Sequence, residues 1–417
     1  MEKVKNELSL YIHIPFCVKK CSYCDFLSAP ADEAAKEEYV RALIREIGAY
    51  CDSDEAGRPI RSVFIGGGTP SVLSAHQLLR IMNEIRRTFS LHNNTEISIE
   101  VNPGTVTEEL GDILCKQIAN RISIGLQSAN DNELARIGRI HTYDDFLKTY
   151  DFLRKSGCHN INIDLMSALP GQSIESWLGS LHKVISLGPE HISAYSLILE
   201  EGTPLYALYH DVGSEGRTPG YNAETYVNTK QNRSSSAFER DWRLPDEEED
   251  RKMYELTGLI LAENGYERYE ISNYARKGCE CRHNITYWQR GDYLGFGLGA
   301  SSCVNDIRWK NTESLHNYIN SLHNHAGLRK EICRLSPQEQ MEETMFLGLR
   351  MMRGVSLDDF AKKFDKRAED VYHDVIERYV NLDLLRIRDG YLSLTAKGID
   401  VSNTIFADFL LDRSQET

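Results

Sequence analysis

LSLYIHIPFCVKKCSYC, residues 8–24, decides the fold. Leu8–Ile14 is a short β-rich run that ends at Pro15 and enters a loop with cysteines at 17, 21 and 24. A helix-period segment, EEYVRALIREIGAY at 37–50, comes next, so the stretch opens a β-α unit. Working outward, the unit recurs. Further strand candidates are RSVFIG (61–66), TEISIEV (95–101), RISIGLQ (121–127), NINIDLM (160–166) and HISAYSLI (191–198), with helical segments such as 74–89 between them. Ser74 and Thr107 mark helix starts. Parallel neighbours need crossover connections, so these repeats predict a parallel sheet with helices outside it. Six units fall short of the eight of a closed barrel. The expected fold is α/β, a partial (β/α)6 TIM-like barrel.

Such sheets carry their chemistry at the C-terminal ends of the strands. Cys17 follows the first strand, Gly66–Gly68 the second, Glu100 closes the third, Gln127 closes the fourth and Asp164 lies late in the fifth. Five strand ends with polar or glycine features predict one site.

After Glu200 the rhythm breaks. Residues 211–250 are rich in Gly, Ser, Asn, Asp and Glu and predict a long exposed loop or insertion, with a helix N-terminus at Pro245–Glu249 and a helix at 251–264. From 336 on, helical segments at 337–352, 356–364 and 367–382 precede a hairpin at 384–394 turned by Asp389-Gly390. This order predicts a winged-helix-like α+β domain. Its would-be recognition helix is nearly balanced in charge, so a packing or partner-binding module is the expected role. The expected division is 1–200, 201–330 and 331–417.

The chain of 417 residues carries a formal net charge of −14. That argues against a broad phosphate-binding face, and no nucleic-acid partner is expected. The start, MEKVKNELSL, has no apolar signal core, and no segment approaches the roughly 20 apolar residues of a membrane span. A cytoplasmic protein without integral membrane contact is expected. Its ten cysteines should then be reduced thiols.

Three of those thiols share one short loop and can each hold one iron of a four-iron cube, leaving the fourth iron open. Zinc is the competing reading. It needs a fourth protein ligand, for which His13 or a distant thiol would have to serve.

The spacing C-x3-C-x2-C, with Tyr23 before the last cysteine, resembles the signature of the radical SAM superfamily. The resemblance implies a [4Fe-4S] cluster on Cys17, Cys21 and Cys24, with S-adenosylmethionine chelating the open iron and a 5′-deoxyadenosyl radical released by reduction. Gly66-Gly67-Gly68-Thr69-Pro70 is similar to the family's second signal, a turn that receives the methionyl amine. YIHIPFC, GGGTP, EVNP (100–103), GLQS (125–128), GRIHT (138–142) and LPGQ (169–172) resemble the coproporphyrinogen-dehydrogenase-like group over nearly the whole chain. Carried over by motif, the implied S-adenosylmethionine contacts are Tyr11, Tyr23, Gly67, Gly68, Thr69, Glu100, Gln127, Arg139 and Asp164.

Two features select a branch of that group. The dehydrogenase pattern has a further cysteine just after the third, where this chain has Asp25 and Phe26. Then His283-Asn284-Ile285-Thr286-Tyr287-Trp288 resembles the haem-binding motif of the group's haem chaperones. The resemblance implies haem binding around His283, Tyr287 and Trp288. Cys279 and Cys281 are an alternative source of soft ligands. Implied partners are haem, acceptor haemoproteins such as respiratory enzymes, and a reductant for the cluster; a homodimer and a peripheral membrane contact stay open. The rivals are an oxygen-independent coproporphyrinogen dehydrogenase and an iron-sulfur sensor. The chain departs from the group in the insertion at 211–243 and at Ser167-Ala168, where relatives carry a larger residue and glycine before LPGQ.

Overall fold

The structure, a computed structural model, describes residues 7–210, 242–320 and 327–411. The expected insertion, apart from its last residues, lies outside the described residues. Six parallel strands form the centre: β1 (Leu8–Ile14), β2 (Ile60–Gly67), β3 (Leu91–Val101), β4 (Arg121–Gln127), β5 (Ile161–Ser167) and β6 (His191–Ser196). They lie side by side in sequence order, with the helices Glu33–Gly48, Ala75–Thr88, Glu108–Ile113, Tyr143–Lys155 and Ile174–Ser186 in the crossovers. Ser74 caps its helix through a capping box with Gln77, and Thr107 accepts from Leu110 N.

Alternation along the strands separates two surfaces. Leu10, Ile12 and Ile14 of β1, Val63 and Ile65 of β2, Ile122, Ile124 and Leu126 of β4, and Ile161, Ile163 and Leu165 of β5 are all fully covered. They pack in one core with Leu43, Leu78, Ile81, Phe146, Leu153, Trp177 and Leu181 from the helices. Each such side chain contributes roughly 1.5–3 kcal/mol by leaving water. The opposite face is polar: Tyr11 on β1, Ser62 on β2, Glu96 and Glu100 on β3, Arg121 and Ser123 on β4, Asn162 and Asp164 on β5, His191 and Ser193 on β6. A sheet that curls around polar side chains encloses a chamber rather than a second core.

The chain beyond Glu200 extends the same sheet at both edges. β7 (Glu267–Arg268) and β8 (Asn273–Ala275) add antiparallel strands beside β6, and β9 (Tyr293–Phe296) lies parallel to β1. β10 (Ser301–Val304), β11 (Ile307–Asn311) and β12 (Arg329–Arg334) continue antiparallel from β9. Glu46 fastens this extension, accepting from Gly297 N at 2.8 Å and Asn311 Nδ2 at 2.7 Å. The expected helix start near Pro245 falls at Asp246, which caps Glu247–Glu263 in a capping box with Glu249.

A separate hydrophobic cluster, including Met345, Phe360, Tyr372, Ile376, Leu392 and Phe409, forms the core of the last segment. There the helices Pro337–Gly348, Leu357–Phe364 and His373–Asn381 precede the hairpin β14 (Leu385–Arg388) and β15 (Tyr391–Leu394), joined by β13 (Val355–Ser356). Asp389 and Gly390 both take positive φ, 51° and 77°, as a tight hairpin turn demands. The helices-then-hairpin order expected of a winged-helix-like α+β domain is present. Among the described residues no helix is long and apolar enough to cross a membrane.

Candidate cofactor site at the strand ends and chamber floor

The cysteine loop leaves β1 at Pro15 and is tied down at four points. Ala29 N donates to Pro15 O at 3.0 Å, and Cys17 N to Ala29 O at 3.2 Å. Ser22 N reaches Ile137 O at 3.2 Å, and Leu205 N reaches Ser22 O at 2.8 Å. All three cysteines are free and partly exposed. Burial pushes the Cys17 and Cys24 thiols up from the usual range, so in this state they are protonated near neutrality. Among the described residues no three His, Cys, Asp or Glu side chains converge closely enough to hold one ion. A cube sets its irons on separate corners, so its three thiolates stand further apart than ligands of a single metal. His13 is not spare either: Nδ1 lies 3.1 Å from Tyr11 OH and Nε2 2.9 Å from Leu27 O. The loop could therefore hold a cluster with three protein ligands more readily than zinc.

The glycine turn lies beside this loop. Gly68 N donates to Ile14 O at 2.8 Å, and a Cβ on Gly68 would meet Phe16 O at 2.4 Å. Gly67 takes φ 109°, where side chains are strained, and a Cβ there would strike the His13 ring. Only glycine permits this approach of β2 to β1. Gly67 N then donates to Glu100 Oε2 at 3.1 Å.

The remaining strand-end residues converge on the same mouth. Arg139 Nη2 donates to Asn102 Oδ1 at 2.7 Å and also to Gly125 O, while Nη1 lies 3.6 Å from Cys21 Sγ. Its Nε is buried without a partner. Asn102 Nδ2 donates to Thr69 Oγ1 at 2.7 Å. Gln127 holds φ 73° and accepts from Tyr195 OH at 3.0 Å. Tyr23 packs against Ile137, Met166 and Leu169, next to Arg139 and Asp164. Asp164 accepts from Asn162 at 2.7 Å and Ser123 at 3.1 Å. Burial, and then the nearby Asp164, push Glu100 up to about 8; burial raises Asp164 as well. Two buried carboxyls that ionise reluctantly are suited to an incoming cation such as an amine or sulfonium. Asn102, which bridges Thr69 to Arg139, is a site residue that the motif reading leaves out; its place in EVNP, two residues beyond Glu100 and just past the end of β3, is the available signal.

Below this mouth lies a chamber of about 230 Å³, lined by Tyr11, Phe64, Glu100, Arg121, Asp164 and, from outside the strands, His283 and Tyr287. The motif residues close its floor from the short helix Arg282–Trp288. Glu96 of β3 fixes that helix by accepting from Arg282 N at 3.0 Å and His283 N at 3.2 Å. His283 is 1% exposed. Its Nδ1 lies 2.9 Å from Ser62 Oγ and its Nε2 2.9 Å from Tyr287 OH, and the ring stacks on Phe64 at 5.1 Å. Burial, then the charge of Arg121, push it down to about 3, so it is neutral. Trp288 faces elsewhere, under the Arg350 guanidinium at 4.4 Å, with its indole N–H buried and unpartnered. Cys281 is buried 3.7 Å from Glu96 Oε1, and burial pushes its thiol up to about 12. In this conformation neither His283 nor Cys281 presents a free ligand to haem. The chamber is also smaller than the roughly 300–1,000 Å³ of ordinary ligand cavities, and haem is a large ligand.

Parallel strands, a three-cysteine loop after β1 and a glycine turn after β2 define a protein of the radical SAM superfamily, and residues 11–184 match that superfamily. Residues 335–401 match the HemN C-terminal domain. The chain is 37% identical to a protein of Lactococcus lactis subsp. lactis named heme chaperone HemW, over 97% of both chains. It is 33% identical to the protein of that name from Bacillus subtilis, over 96% of this chain and 99% of that one. The chain belongs to the HemW family. Among solved structures, coproporphyrinogen III oxidase HemN of Escherichia coli superposes with a TM-score of 0.78 over 97% of this chain and 90% of that one. At 23% identity it shows the shared fold.

Proposed function

We propose that this protein is a haem chaperone that carries a [4Fe-4S] cluster on Cys17, Cys21 and Cys24, binds S-adenosylmethionine at the strand ends, and hands haem to acceptor haemoproteins, respiratory enzymes among them, in the cytoplasm. The observation that carries this reading is the match to proteins named heme chaperone along almost the entire chain, C-terminal segment included. The loop supports it too, since Asp25 and Phe26 follow Cys24 where a dehydrogenase would have another cysteine. When bound, the cluster and S-adenosylmethionine supply reductive cleavage of a sulfonium. The chain's own part is to orient them: Gly67 and Gly68 bring the backbone close, Glu100 and Asp164 offer carboxyls to the amine and ribose hydroxyls, and Arg139 offers a guanidinium to the methionyl carboxylate. Tyr11 and Tyr23 line the site, with Thr69 and Gln127 at its rim.

Haem is assigned to the region of His283, Tyr287 and Trp288. A chaperone that used His283 as its axial ligand would first have to release it from Ser62 and Tyr287. Anaerobic reconstitution of the cluster, followed by haem titration of wild type and His283→Ala by absorbance, tests the reading, with melting curves to separate lost ligation from lost folding. A folded variant with unchanged haem affinity removes His283 from the site, and absence of haem binding in the wild type removes the chaperone. Decarboxylation of coproporphyrinogen by the same preparation replaces it with the dehydrogenase.

A further inference from the structure

The chamber holds a charge that the cofactor site leaves unused. Arg121 begins β4, is 2% exposed and lines the cavity between the strand-end carboxyls and the floor helix. Its Nε has no partner, and among the described residues no hydrogen bond or ion pair reaches the guanidinium. A buried cation is costly unless it is paired, so buried arginines ordinarily end on carboxylates or carbonyls. Cys281, Glu96, Tyr269 and Asp164 act on Arg121 through space, and together they hold its proton against the effect of burial without closing on the guanidinium. They are engaged elsewhere: Glu96 on the floor helix, Asp164 on Ser123 and Asn162, Cys281 on Glu96. Ser98 is the register partner of Arg121 across β3 and β4. It is fully buried, and its hydroxyl also lacks a partner.

We propose that Arg121, with Ser98 and Ser123 beside it, is a binding site for a carboxylate inside the barrel. The planar guanidinium fork matches a carboxylate in a bidentate pair. A single negative charge matches the single positive charge of Arg121. The cavity admits a short aliphatic acid whole, or the carboxylate arm of a larger guest whose body stays outside. Arg139 serves the opposite end of β4, so this site is distinct from the one for the methionyl carboxylate.

Propionate is the probe, added to the full chain with its cluster reconstituted, against sodium chloride at matched ionic strength. The site predicts a saturable rise in melting temperature for wild type, lost in Arg121→Met and half-saturating at least about tenfold higher in Arg121→Lys. Equal responses in wild type and Arg121→Met overturn it, as does a wild-type response no greater than that to chloride. If Arg121→Met does not fold, Arg121→Lys carries the test, and an unchanged half-saturation overturns the proposal. A propionate response lost in Arg139→Met and kept in Arg121→Met places the carboxylate at Arg139 and also overturns it. Two arms separate the sources. Haem that displaces propionate while its dimethyl ester does not assigns the site to a porphyrin side chain; propionate binding indifferent to haem assigns it to a free acid. The haem-free measurement stands whether or not the protein proves to bind haem.

Discussion

Asn102 holds Arg139 in place: its Oδ1 accepts from Nη2 at 2.7 Å while its Nδ2 is anchored on Thr69 at 2.7 Å. The glycine turn of β2 and the guanidinium beyond β4 are thus coupled through one amide. Hydrogen bonds to a charged group are worth about 1.5–3 kcal/mol. Asn102→Ala is predicted to raise the dissociation constant for S-adenosylmethionine by about 10- to 100-fold. Equilibrium dialysis reads the constant, and iron content should match wild type, since among the described residues Asn102 makes no hydrogen bond to a cysteine. An unchanged constant would refute the coupling.

His283 bridges Ser62 of β2 to Tyr287 of its own helix, with no exposed surface to spare. Its replacement by alanine removes both hydrogen bonds and opens a void, at a predicted cost of about 2–4 kcal/mol. Urea denaturation of the cluster-free protein measures this. Loss of haem binding in the same variant has to be judged against that cost, and a stability equal to wild type would sink the floor assignment.

Glu100 gives a pH dependence with a definite sign. Its carboxyl is raised from 4.5 to about 8 by burial and by Asp164. The folded state therefore holds a proton that the unfolded chain has lost between those values. Stability from this group is full below about pH 4.5 and declines as pH rises toward 8, by up to about 1.4 kcal/mol per pH unit. Denaturation midpoints at pH 5, 6.5 and 8 in wild type and Glu100→Gln isolate the effect, since glutamine has no proton to lose. Parallel profiles in the two proteins would contradict it.

Ala168 sits at φ 57°, in the left-handed region, immediately after β5. Relatives are expected to carry glycine there, and glycine avoids the Cβ penalty of about 1–2 kcal/mol. Ala168→Gly should stabilise the chain by about 1 kcal/mol after the added flexibility of the unfolded state is deducted. A lower melting temperature for the variant would mean that the alanine methyl contributes more by packing than it loses in strain.

The strand ends were legible in sequence because each polar residue there interrupts an apolar run at its C-terminal limit. Gly66–Gly68, Glu100 and Gln127 stand where a strand stops, while Asp164 lies in the middle of β5 and faces the same interior. The polar interior was equally written in the chain, since Arg121, Ser123, Gly125 and Gln127 alternate with Ile122, Ile124 and Leu126. Apolar runs suffice to find strands, so the polar half of the alternation, Arg121 included, carries no signal of its own in the sequence. The chamber floor was not legible by any local rule. A histidine beside two aromatics has the same sequence pattern whether it awaits iron or is locked between neighbours. The neighbour that decides the matter, Ser62, is 221 positions away.

β1 lies between β2 and β9, and that placement sets a timetable for synthesis. The cysteine loop and the six central strands leave the ribosome early, while the strand that covers the other edge of β1 begins at residue 293. Until then the nascent chain carries an open strand edge beside the three-cysteine loop, and the helix that seals the barrel at Arg282–Trp288 has only just emerged. An uncovered edge is a template for mispairing with other chains. Truncation before Tyr293 therefore leaves all six parallel strands, and the cysteine loop with them, in a sheet whose first strand has one uncovered edge, a product prone to aggregate.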